Sequence, residues 1–227
     1  MKIKMMYMAI VCAILFSMPI AEASQYTVLD YPGRTGVGGP FIIDPVGLPP
    51  IANFDTFCLE KNEYLNLNGT YWGTIESAAV YGGNYVDTYG GTPSSQNTTD
   101  PISTATKALY SYALDNWASL SIGNLTDIQW AIWYSEAEVS WSDLDTGAKG
   151  YYDAAAGGTY ASDLATHNIM VLNLWSANVT APYNNSTDYA DRVQSQLIDV
   201  PVPEPTTMLL LGLGLVGLAG VRRKFQK

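Results

Sequence analysis

Few side chains in this chain can do covalent chemistry. It holds two cysteines, Cys12 and Cys58, and a single histidine, His167. Cys12 lies in an apolar run near the N-terminus that reads as a removable leader, so Cys58 is the one thiol expected in the mature protein. Exported proteins usually pair their thiols, and a leftover one calls for a chemical account. Three stand open: a small buried hydrophobe, a disulfide between molecules, or commitment to something other than sulfur. A cysteine protease needs a histidine base beside its thiol. His167, followed by Asn168, stands on no recognisable motif and reads as a surface or satisfied structural residue. One histidine also leaves a zinc site short of ligands. Asp143 and Asp145 are too few for a calcium loop. Gly82-Gly83 and Gly90-Gly91 sit among Tyr and Thr and read as turns, not as a phosphate cradle.

Gln129 has two readings. Thr126-Asp127-Ile128-Gln129 fits a capping box, in which the Gln side chain reaches back to the N-cap backbone N–H. That is a complete structural role. The same placement sets the carboxamide in a first helical turn, where free N–H groups and the positive dipole end favour a developing oxyanion. Trp133 follows four residues on and shares the face. Helical side chains lean toward the N-terminus, so its indole is expected to roof Gln129 against water.

The elements that must position these residues follow from local pattern. Asn53 to Leu59 and Tyr71 to Ile75 read as strands between Gly, Pro and Asn turns. Gly90 to Asp100 reads as a polar loop. Asp100 is then an N-cap with Pro101 at the first helical position. A helix runs on to about Trp117, with Ala105, Ala108, Leu109, Tyr112 and Ala113 on one face. A second helix is expected from Thr126 to about Glu138, and a third from Ala148 to Ala156. Asn168 to Trp175 and Arg192 to Val200 read as closing strands. Strands, then helices, then strands suggest α+β: a β-sandwich or barrel with a helical insertion, flanked by a signal peptide and a C-terminal membrane helix.

Both ends read as addresses. Lys2 and Lys4 precede the apolar run Met5 to Pro19, and Ala21-Glu22-Ala23 has the small-x-small form of a cleavage site. Residues 1–23 are thus expected to be a signal peptide. At the other end, Pro203-Glu204-Pro205 precedes an apolar stretch from Met208 to Val221, and then Arg222-Arg223-Lys224. That stretch is short for a bilayer span, which usually needs about 20 residues. The basic cluster behind it holds that end in the cytoplasm. This order strongly resembles the PEP-CTERM sorting signal of Gram-negative bacteria, with residues 202–227 as the sorting and anchor segment. The resemblance implies processing by an exosortase and delivery to the outer surface or an exopolysaccharide matrix. Between the ends, five basic residues face nineteen acids, a balance near −14 that argues against nucleic acid or anionic lipid as partner.

Phe57-Cys58-Leu59-Glu60, followed by Ile128-Gln129-Trp130-Ala131-Ile132-Trp133, resembles the thioester domain of bacterial surface adhesins. This extracytoplasmic domain would occupy residues 24–201. The chain differs in having Ile128 where Thr often precedes the Gln. The resemblance implies that Cys58 attacks the Gln129 carboxamide and that loss of ammonia leaves an internal thioester. Glu60 or Asp127 would serve as base, and Phe57, Trp130 and Trp133 would complete a dry pocket. Transfer to a lysine amine on a surface or matrix ligand would then fasten the protein to its partner. It implies no cofactor and no enzymatic turnover. The alternative is a non-covalent exopolysaccharide- or matrix-binding module in which Cys58 is plain core and Tyr and Trp stack on sugars.

Overall fold

The computed structural model describes residues 24–47, 52–61, 63, 65–80, 99–176 and 191–201. The expected signal peptide, most of the Gly90–Asp100 loop and the sorting segment from Val202 lie outside them. Among the described residues no helix is long and apolar enough to cross a membrane, and the expected membrane helix, Met208 to Val221, is not among them.

Six strands form one antiparallel sheet: β1 (Ser24–Asp30), β2 (Phe41–Val46), β3 (Phe54–Thr56), β4 (Gly69–Glu76), β7 (Ile169–Trp175) and β8 (Arg192–Asp199). Their order is β3-β2-β1-β4-β7-β8. Alternation builds the inner face, with Tyr26 and Val28 of β1, Phe41 and Ile43 of β2, and Tyr71 of β4 buried. The sheet curls until its edges meet. Just past β3, Cys58 bridges Gln196 of β8, with Leu59 N–H donating to the Ser195 carbonyl and Leu197 N–H to that of Phe57, both at 3.0 Å. A two-stranded ribbon, β5 (Ala78–Val80) with β6 (Thr99–Pro101), stands apart in pairing. It is tied to the sheet by Asn173, which accepts from Val80 N–H at 2.9 Å. The α+β class is as expected; the sheet is a single curled one rather than two stacked layers.

Helices α1 (Thr104–Asn116), α2 (Ile122–Ser135), α3 (Thr146–Ala156) and the short α4 (Ala161–Leu164) lie between β6 and β7 in the chain. Two helix starts differ from expectation. Asp100 and Pro101 belong to β6, and α1 is capped by Ser103, whose hydroxyl accepts from Thr106 N–H. Helix α2 begins four residues before Thr126. Ser121 and Asn124 form its capping box, so residues 122–125, expected to precede the helix, are already its first turn. Thr126 instead donates its hydroxyl to the Ile122 carbonyl.

A buried cysteine and glutamine at the sheet–helix junction

Residues 57–59 alternate in direction. Phe57 and Leu59 pack with Leu109, Leu125, Ile128 and Ile132 of the helices, whereas Cys58 turns into the sheet interior beside Trp133 and Ile43. Helix α2 brings Gln129 to the same point, and both Cys58 and Gln129 are fully buried. Gln129 Oε1 accepts from the Gly39 N–H at 3.0 Å and the Cys58 N–H at 3.1 Å. Gln129 Nε2 donates to the Cys58 carbonyl at 2.8 Å. The Cys58 Sγ lies 3.4 Å from Oε1. Two N–H donors on one side and a carbonyl on the other determine which way round the amide sits.

Gln129 is the eighth residue of α2, so neither the capping role nor the first-turn dipole applies to it. The donors suited to an oxyanion are backbone groups of two other segments. One of them, Gly39, ends the loop between β1 and β2. That loop is held by Arg34, which bonds Asp30 at 2.6 Å and the carbonyls of Gly36 and Gly38 at 3.0 Å each. Gly38 adopts φ +84°, and a Cβ there would lie 2.6 Å from Trp133 Cζ2 and 3.2 Å from Gln129 Cγ. At Gly39 a Cβ would meet Gln129 Oε1 at 2.7 Å. Paired glycines before Pro40 were the available sign of such a close approach, and sequence reasoning passed over them.

Burial pushes the Cys58 thiol well up, and the nearby Glu60 charge adds to this; the Gly39 N–H pulls the other way. The thiol is therefore protonated at neutral pH, and attack requires a proton acceptor. The indole N–H of Trp133 makes no conventional hydrogen bond, yet lies near enough to the sulfur to favour a thiolate. Glu60 is buried too, and burial raises its carboxyl against the opposing effects of Arg192 and the Ser195 N–H. Its Oε2 accepts that N–H at 2.8 Å, while Oε1 has no hydrogen-bond partner. Of the two candidate bases, Glu60 is the one whose charge acts on the Cys58 thiol.

Asp127 is not. Two residues from Gln129, it points about 200° round the helix, toward α3, where it adjoins Asp145 and Gly147. Phe57 packs against Trp117 and Tyr110 at centroid distances of 5.1 and 6.1 Å. Trp133 is completely buried, and Trp130 meets it edge-on at 5.3 Å with the Lys61 ammonium 5.0 Å above its own ring. His167 sits far from this chemistry in role: its ring bonds Asp199 at 2.6 Å and Asp115 at 3.2 Å, joining β8 to α1.

No curated protein and no solved structure matches the chain. The PEP-CTERM protein-sorting motif matches residues 201–224, which span Pro203, Glu204, Pro205, Arg222 and Arg223. By that motif, the chain is an exported protein with a C-terminal sorting signal of the kind an exosortase processes.

Proposed function

We propose that Cys58 and Gln129 condense into an internal thioester through which the exported protein attaches covalently to an amine-bearing surface or matrix partner. The observation that carries this reading is the Gln129 carbonyl held between two backbone N–H groups with the Cys58 sulfur 3.4 Å from its oxygen. Near-attack geometry is what an amide, a poor electrophile, requires. Sulfur attacks Cδ, the negative charge that develops on Oε1 lies against the Gly39 and Cys58 N–H groups, and the C–N bond breaks to release ammonia. The thiol proton leaves with the ammonia, passing by way of Glu60. Full burial of both residues and the Trp133 cover exclude the water that would hydrolyse the product.

A second reading is favoured by one observation. Trp141 is 40 % exposed and joins Tyr134 and Tyr152 in an aromatic cluster at the surface, a suitable stacking face for sugars in a non-covalent matrix module. In that case the Gln129 bonds are purely structural and Cys58 is core.

Intact mass of the exported protein separates the two. The thioester protein weighs one ammonia less than its sequence and offers no thiol to label even on unfolding; Cys58→Ala and Gln129→Glu show no ammonia loss, Gln129→Glu labels on unfolding, and neither stays on the partner after washing in denaturant. An unmodified mass with a thiol that labels on unfolding sinks the covalent reading.

A further inference from the structure

A cavity of about 200 Å³ opens at the loop that carries Gly38, lined by Arg34, Gly38, Phe41, Lys61, Glu63 and Leu65, among others. Gly38 belongs both to this cavity and to the surroundings of Gln129. It lines the cavity, and its backbone is close enough to Trp133 and Gln129 that a Cβ would collide with the first and press on the second. Gly38 is thus the residue that the cavity and the Gln129 side chain share.

The lining is graded. Phe41, Leu65 and Leu67 give it an apolar side. Glu63, whose side chain is 9 % exposed, brings a carboxylate that pairs with Arg192 but takes no conventional hydrogen bond. The two rim cations are already engaged, Arg34 by Asp30 and the loop carbonyls, Lys61 by the Trp130 ring. A cavity of this size accepts a single extended chain, not a folded surface.

We propose that this cavity is the acceptor vestibule of the thioester, taking a primary alkyl amine with its methylenes against Phe41, Leu65 and Leu67 and its nitrogen delivered past Gly38 to the Gln129 carbonyl. This rests on the thioester reading above. The neutral amine attacks the carbonyl carbon, the new C–N bond forms, and the C–S bond breaks. Of the two protons the ammonium gives up, one goes to the departing Cys58 sulfur and the other through Glu63 to solvent. The transient oxyanion meets the Gly39 and Cys58 N–H groups.

The test begins with the intact mass of the exported protein. Absence of the ammonia loss overturns the thioester and the vestibule together; its presence allows the vestibule to be judged alone. Aminolysis is then followed, per thioester present, with cadaverine, a lysine-containing peptide and tert-butylamine, each scaled to its rate against a free thioester in water. Val37, at the rim, is 63 % exposed, so Val37→Trp roofs the cavity without disturbing the core. The linear amines are expected to outpace tert-butylamine, and Val37→Trp to slow them, by about tenfold each. Reaction with cadaverine alone assigns the site to free diamines; reaction with the peptide as well assigns it to lysines on extended segments. Equal scaled rates for linear and branched amines, or wild-type rates in Val37→Trp, overturn the proposal. So does a Lys61–Gln129 cross-link with a free Cys58 thiol, which would make the cavity the seat of the chain's own lysine.

Discussion

Gly38 carries a φ of +84° and no side chain, and the Cys58–Gln129 pair depends on both. Gly36, two residues earlier, has a similar φ of +92° but nothing within 4 Å of a Cβ position. Comparing alanine at the two sites separates backbone strain from collision. Gly38→Ala is expected to cost about 1–3 kcal/mol more than Gly36→Ala, read from urea midpoints, and to lower the fraction of protein showing the ammonia loss. Equal costs would mean that Trp133 yields freely. Cys58 and Gln129 were legible as residues because one is the lone mature thiol and the other stands in a distinctive aromatic helix. The Gly39 N–H was not, since a backbone donor has no side-chain signature and its position depends on a loop ninety residues from its acceptor. Asp127 faces elsewhere for a different reason: two residues from Gln129 on one helix, it points about 200° away from it, toward Asp145 and Gly147.

At the scale of elements, α2 is the part on which the site turns, and its far side carries a strained contact. Asp127 of α2 faces Asp145, the N-cap of α3. Burial, then the neighbouring carboxylate, pushes Asp127 up to about 6. A folded value above the unfolded one means that the protonated form is favoured on folding. That contribution is present near pH 4 and is lost as pH rises through about 6. Asp127→Asn is therefore expected to melt higher than wild type at pH 7, with the gain vanishing toward pH 4. A constant difference across that range would place the effect elsewhere. The helices themselves were readable from apolar spacing, with Ala108, Leu109 and Ala113 of α1 buried as their period requires. The closure of the sheet through Phe57–Leu59 was not, because pairing between segments well over a hundred residues apart leaves no local trace.

The whole molecule is an acidic exported domain joined to a basic-ended sorting tail. The tail dictates handling: replacing Pro203, Glu204 and Pro205 with alanine is expected to block exosortase processing, seen as a band larger than that of the natural protein. Normal processing of that variant would remove the motif from the account. The general order of strands, helices and strands was visible in the sequence, since each segment has its own period; the shape they make together was set by contacts that only the folded chain reveals. One such contact has a mechanical consequence. Strand β8 is held on one side by β7 and on the other by residues 57–59, and it leads directly to the sorting segment. If a partner were fixed at Gln129 while the tail was tethered, tension would enter the chain at α2 and leave it through residues 130–201. Its final stretch would pull β8 lengthwise, so that the bonds on both flanks resist in shear as a group instead of peeling one at a time.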